Sequence, residues 1–437
     1  MEISELQRIE KMKDRYNCYS DNYKDLVENK LGLIYTSFQK LGLDVQLHHS
    51  TNLYKMIINN ISKVYDYGVS RQFKNEDFND IYEELEVDKT MYQVNKYLNA
   101  FNDVILQVGW DDEEEELKLI IRLPHKTKIE WVDRKVFSVS YFVEYDTETK
   151  QEKWAYWSKT EHYYITKDPT KKEDGKEPIA GNEEMVNPYG FLPFVFFNNG
   201  YRDESFWDMY KGDDLFNSTI DISIHLTFLN HIIKSQSFKQ LVGSGSNLSE
   251  LNGSVLDPLT VLTLEGQDTE ISVLDLQANY DQLWKVLQEQ ANSLATSYNI
   301  SPSSFRMTGQ VSSGFALQME NHKLDTFIKS QQVDFTKYEK KLFKIICKMI
   351  GVHTKTEIEN NFQIDFVKPF YPISEIEQMD LDLKGTHLGT SSPVDILKEK
   401  LNITEEEALS KYRDNIKYRN ESFNKLNEEI VDIDFDI

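Results

Sequence analysis

Serine and histidine are the first residues to test for chemistry in this chain. Val311-Ser-Ser-Gly-Phe315 places Ser312 and Ser313 beside a glycine. A nucleophilic serine needs a base within hydrogen-bonding reach, and usually a Gly-x-Ser-x-Gly elbow to expose it. No such elbow occurs, and no histidine stands in a recognisable frame with these serines. His48 and His49 are adjacent, so their side chains diverge on a strand or a helix alike and read as surface or packing residues. No His-Glu-x-x-His and no Gly-x-x-x-x-Gly-Lys-Ser/Thr occurs, which removes the usual zinc-protease and phosphate-cradling motifs. Gly243-Ser-Gly-Ser-Asn-Leu248 lacks the third glycine of a dinucleotide turn. Asp111-Asp-Glu-Glu-Glu-Glu116 suits a metal, a basic partner or plain solvation, and a solvated loop is the simplest of these. Two cysteines, Cys18 and Cys347, cannot build a disulfide framework or a four-sulfur zinc site. Cys347 sits among Phe343, Ile345, Ile346 and Met349 and reads as a small buried hydrophobe. The expectation is therefore no catalytic residues, no metal site and no cofactor.

Bulk properties narrow the class further. The chain has 437 residues, enough for about three domains or one elaborated fold. Aromatic residues are 12 % of it, far too many for a solvated coil. Lys and Arg number 49 against 73 Asp and Glu, a net charge of −24. Proteins that grip DNA do so through cationic groups that release counterions. This balance argues against a repressor or a non-specific DNA coat, but not against a conduit, where tight phosphate contacts would act as a drag. The longest apolar stretch, Tyr189 to Phe197, is far short of the ~20 residues of a membrane helix. The N-terminus has no apolar signal core. A soluble chain, intracellular when made, is expected.

The elements that must position any site follow from periodicity. Residues 1 to about 100 read as helices, including one from Asn52 to Tyr67 and another from Asn79 to Phe101. From Asn102 the texture turns to strands: Val104–Val108, Leu117–Leu123, Val136–Val143 and Trp154–Trp157 are rich in β-branched and aromatic residues. Asp146–Gln151 is a polar turn that predicts a hairpin. Lys167–Glu184 reads as a Gly/Pro/Lys/Glu loop. In Asn187–Asn199 two prolines impose extended chain. Leu215, Ile222, Leu226, Leu229 and Ile233 then form a helical stripe, and Tyr280, Trp284, Leu287, Ala291, Leu294 and Tyr298 form a second. Between them, 237–278 is a loop-and-strand module, with Val261–Leu264 and Ile271–Leu274 as its strands. A loop over Ile300–Gly314 precedes a long helix from Phe315 to Ile350 with Phe335, Tyr338, Leu342, Ile345 and Met349 on one face. Phe362–Val367 is a strand. The tail, 374–437, is helical, with a cap at Thr390-Ser-Ser-Pro393 and a capping box from Thr404 to Glu407.

Three features in order resemble the tailed-bacteriophage portal proteins. They are the Tyr189-Gly-x-x-Pro193 segment with its hydrophobic continuation, the helix–module–helix order over 204–298, and Tyr298-Asn-Ile-Ser301 followed by Ser313-Gly-Phe-Ala-Leu317 entering a long helix. The likeness spans about 190–350. It implies an α+β, helix-rich portal fold with a β-containing wing, two stem helices, a small α/β clip, a tunnel loop, a long wing helix and a helical crown. The implied map is wing 1–202, stem helix 203–236, clip 237–278, stem helix 279–298, tunnel loop 299–315, long helix and wing 316–375, and crown with acidic tail 376–437.

The resemblance also implies a role. Family members form twelve-subunit rings at one capsid vertex, pass double-stranded DNA driven by a terminase motor, and hold tail adaptors. The expected partners are further copies of the chain, DNA in transit, terminase, head–tail adaptor proteins, and the major capsid or scaffold protein, with no membrane. The expected location is the virion, with assembly in the host cytoplasm. Twelve copies at −24 each would repel a duplex from every side of a bore. DNA contacts would then fall to the tunnel loop, where Arg306 is the one fixed charge and Ser303, Ser304, Thr308, Gln310 and Ser312 are short hydrogen-bonding groups. These suit transient phosphate contacts without base readout. Three other readings stand beside this one: another head–tail adaptor or minor capsid protein, a metal-dependent nucleic-acid enzyme, and a host binding module with a helical scaffold.

Overall fold

The computed structural model describes residues 5–40, 47–48, 50–167, 174–236, 240–244, 270–274, 280–302, 314–354, 361–367, 375–401 and 403–433. Of these, 33–40, 231–232, 234–236, 240–244, 270–274, 314–317, 375–377 and 423–433 are described by their backbone path. The chain divides into two compact units. The first comprises residues 1–307 and 321–369, and the second 308–320 and 370–437.

In the first unit the chain opens with α1 (Glu5–Tyr19), α2 (Lys24–Lys40) and α3 (Leu53–Ile61). Asn52 caps α3 by accepting from the Lys55 amide at 3.0 Å, and Leu53, Ile57 and Ile61 are buried as their spacing predicted. The helix is shorter than 52–67, although Val64 beyond it is also buried. Strand β1 (Val69–Phe73) follows, then α4 (Asp77–Glu84) and α5 (Val87–Phe101). The single helix expected over 79–101 is thus two. Glu86, at φ 46°, turns left-handed between them and lets the faces carrying Phe78 and Tyr82, and Met91 and Val94, both reach the core.

The strand-rich stretch is β2 (Asp103–Asp111), β3 (Glu116–Arg122), β4 (Thr127–Val132), β5 (Lys135–Asp146), β6 (Gln151–Trp157), β7 (His162–Lys167), β8 (Gly175–Glu177) and β9 (Phe194–Asn198). It forms two antiparallel sheets, ordered β3-β2-β9 and β4-β5-β6-β7-β8. The hairpin at Asp146–Gln151 joins β5 to β6 as expected. Strand β8 corrects the reading of 167–184 as loop throughout: Lys176 pairs with Ile165 despite its polar neighbours. Ile105, Val139, Tyr141, Ala155, Trp157 and Phe194 form one core between the sheets. The acidic run falls in the exposed β2–β3 turn.

Two long helices come next, α6 (Asp213–Gln236) and α7 (Tyr280–Ser297), with the antiparallel pair β10 (Gln240–Ser244) and β11 (Glu270–Leu274) between them in sequence. Within the expected loop-and-strand module, Gly243 and Ser244 lie in β10, where Gly243 pairs with Ile271. The strand expected at Val261–Leu264 lies outside the described residues. Helix α8 (Gly314–Thr354) is 41 residues long, roughly 60 Å at the α-helical rise. Its residues from 321 onward belong to the first unit. Leu324, Ile328, Phe335, Leu342, Ile346 and Met349 are buried in the main core. Strand β12 (Phe362–Phe366) pairs with β1, about 290 residues away along the chain. Phe73, Phe78, Phe343 and Phe362 meet there, with Phe343–Phe362 ring centroids 4.9 Å apart.

Buried polar groups lock α8 to the N-terminal helices. Gln331 donates to Asn99 at 2.6 Å, and Asn99 donates to Ser62 at 2.9 Å. Glu339, fully buried, accepts from Arg71 at 2.7 Å and from the Tyr65 hydroxyl at 2.8 Å. Such groups are stable inside only when paired, and pairing fixes one register.

The second unit contains α9 (Glu375–Leu388), α10 (Pro393–Leu401) and α11 (Glu405–Ile433). Both expected caps are present. Ser392 accepts from the Asp395 amide at 3.1 Å. In the box, the Thr404 amide donates to Glu407 at 3.0 Å and the Glu407 amide to the Thr404 hydroxyl at 3.4 Å.

Candidate functional site

The site begins with the anchor of α6. Segment 199–212 brings the chain from β9 to α6 and turns left-handed at Gly200 (φ 108°) and Gly212 (φ 86°). Asp103, almost fully buried, gathers this segment. It accepts from Arg202 at 2.7 Å, Asn198 at 2.8 Å and the Asp208 amide at 2.7 Å. Burial pushes its carboxyl up to about 6, against the pull of Arg202. Asn102, left-handed at the end of α5, donates to the Lys211 carbonyl at 2.7 Å. Asp213, in the first turn of α6, pairs with Arg15 at 2.7 Å and Lys11 at 2.6 Å.

Along α6, Thr219, Ser223 and Thr227 are buried at four-residue spacing, facing α2 and α3. Their hydroxyls donate back to Leu215, Thr219 and Ser223 carbonyls at 2.8–3.0 Å, so their donors are satisfied within the helix. Thr227 also accepts from the His48 amide at 2.9 Å. The His48 ring meets the Thr51 hydroxyl at 3.1 Å, and His49 lies outside the described residues.

The two predicted stripes meet face to face. Ile222, Leu226, Leu229 and Ile233 of α6 oppose Tyr280, Trp284, Leu287 and Ala291 of α7 across an open groove of about 490 Å³. A second groove of about 220 Å³ is lined by Phe228, Leu283 and Val286 with His225 and Gln290. Leu229 and Leu287 line both, so the grooves flank one apolar seam. Helix α7 buries only Ala295 completely. Trp284 and Val286 are each 48 % exposed. A helix with this much apolar surface in water is built to be covered by something else.

The far end of α7 is closed by backbone. Asn299 turns left-handed at φ 63°, and the Ile300 amide donates to the Ala295 carbonyl at 3.0 Å, a C-terminal cap that redirects the chain. The Tyr298 hydroxyl donates to Asp214 at 2.7 Å, joining the end of α7 to the start of α6. Ser303, Ser304, Arg306, Thr308, Gln310 and Ser312 follow, and all six lie outside the described residues. Their flanks are fixed: Ile300 is buried before them, and α8 starts at Gly314 after them.

Neither cysteine is poised for chemistry. Both are buried, and burial pushes the Cys347 thiol up to about 12. Among the described residues no group of three His, Cys, Asp or Glu side chains converges as a metal site, and no helix is long and apolar enough to cross a membrane. The sequence stripes located the helix pair. The buried hydroxyls of α6 and the Asp103 hub escaped it, because their partners are backbone groups or side chains about 100 residues away.

The family model described as phage portal protein, SPP1 Gp6-like, matches residues 2–422. No curated protein sequence matches. Among solved structures, the neck of an empty gene transfer agent particle is similar at 8 % identity and a TM-score of 0.42, covering 78 % of this chain and 85 % of that one. The virion of a native gene transfer agent particle is similar at 7 % identity and a TM-score of 0.43, covering 80 % and 89 %.

Proposed function

Because this chain belongs to the SPP1 Gp6-like phage portal protein family, a family of structural proteins and not of enzymes, we propose that it is the repeating subunit of a ring at one capsid vertex through which double-stranded DNA enters and leaves. The observation that carries the reading is the pair of uncovered apolar grooves flanking the α6–α7 seam. One self-complementary face would close a dimer. Two different faces join head to tail, and a closed series of such contacts is a ring.

On this reading 203–236 and 279–298 are the stem helices, 237–278 the clip, 299–315 the tunnel loop, 1–202 with 316–375 the wing, and 376–437 the crown. Neighbouring stems cover Trp284, Val286 and Leu283. The acidic ring, twelve copies at −24, lets DNA slide, and Arg306 with its short polar neighbours makes the few phosphate contacts. The cap at Asn299 supports this placement, because it gives the loop a rigid start. Terminase and head–tail adaptors dock on the clip, and the capsid or scaffold protein on the wing. The assembled ring resides in the virion after assembly in the host cytoplasm.

The test is Arg306→Ala, or a shortening of 305–311, in assembling particles. Rings should form normally, and DNA content per particle should fall. Unchanged DNA content would remove the loop from the mechanism.

A further inference from the structure

A built pocket beside the β2–β3 turn shares no lining residue with the α6–α7 grooves. Leu85, Trp110, Leu117 and Ile350 floor a cavity of about 200 Å³. Its floor is fixed in advance. Trp110 stands opposite Leu117 across the β2–β3 ladder and stacks on the His353 ring at 4.0 Å, which in turn meets the Tyr189 hydroxyl at 3.3 Å. A cavity of ~150 Å³ already holds a benzene-sized apolar group, so this one has room for one aliphatic or aromatic side chain.

The mouth carries one sign of charge. Glu84, Glu115 and Glu116 line the pocket and are exposed. None of the three has an ion-pair partner among the described residues, and the nearby Lys118 is held by Asp111. Glu83 and Asp112 to Glu114 extend the field on the same two elements.

We propose that this pocket docks a segment of another protein that presents one large apolar side chain between lysines or arginines. The apolar floor selects the side chain, and the carboxylate rim selects its basic neighbours. DNA and anionic lipid are repelled by the same rim. The inference does not rest on the ring, since the pocket is complete within one chain.

The experiment uses the full chain and three fluorescein-labelled peptides: Lys-Arg-Leu-Lys-Arg, its Leu-to-Ser version, and Glu-Glu-Leu-Glu-Glu. Fluorescence anisotropy at near-physiological salt should show the first binding at least ~10-fold more tightly than the second, as burial of one leucine requires. The acidic peptide should not bind. Glu84→Lys with Glu116→Lys should weaken the first peptide ~10-fold or more. Glu148→Lys, in the remote β5–β6 turn, should leave it unchanged. Equal affinity for the Leu and Ser peptides, or equal damage from Glu148→Lys, overturns the proposal. Particle size measured on the same samples reports ring assembly separately.

Discussion

Replacing Trp284 by alanine should weaken assembly while leaving the protomer folded. The indole is 48 % exposed in the single chain. A side chain of its class offers up to ~250 Å², so ~120 Å² awaits a neighbour, worth up to ~3 kcal/mol per contact at ~25 cal/mol per Å². That is about a 100-fold weaker contact between adjacent subunits. Every junction of a ring carries the same loss, so the concentration at which rings appear should rise by up to about that factor. Mass photometry across a dilution series reads this directly. The thermal transition of the protomer should shift little, because α7 buries only Ala295 completely. Rings that persist to the same dilution as the parent would refute the claim that the α6–α7 grooves are the subunit interface.

Glu339→Ala should cost about 3–5 kcal/mol, because it strands the Arg71 guanidinium, only 9 % exposed, beside Asp88 alone. All six tryptophans lie in the first unit, so urea unfolding followed by their fluorescence checks this, and a loss under ~1 kcal/mol would contradict it. Stability should fall with acid below neutrality. Burial holds His125 and His162 down at about 4, so each contributes stability that is complete above the ordinary 6.5 and lost as pH falls from there toward 4. The slope is at most ~1.4 kcal/mol per pH unit for each. Asp103, raised to about 6, has the opposite sign and offsets one histidine between pH 6 and 4. Urea midpoints at pH 7, 6 and 5 should therefore fall, and a flat or rising series would contradict the burial of the histidines. Thr404→Ala should cost ~1 kcal/mol by removing the α11 cap, seen as faster amide exchange at Glu407 and Ala408 and nowhere in the first unit.

Local signals were legible in the sequence. The Thr404–Glu407 box, the proline-bounded strand at 194–198 and the stripes of α6 and α7 all appear where spacing and type placed them. What escaped was non-local. Val69-Ser-Arg-Gln-Phe73 looks half polar because Arg71 answers Glu339, 268 residues on, so β1 gave no strand signal of its own. The split of 79–101 depends on a left-handed Glu86, a residue type with no preference for that conformation. The buried Thr219–Ser223–Thr227 row looks like a solvated face until the hydroxyls are seen returning to their own helix. The candidate site divides in the same way: the helix pair was readable from period, whereas its openness on both sides of the seam is a property of the folded chain alone.

The central claim is a closed ring built on the α6–α7 pair, and electron microscopy of the purified protein tests it most directly. Class averages should show a central hole and twelve-fold symmetry, lost in Trp284→Asp. Compact particles of single-chain size at every concentration would contradict it.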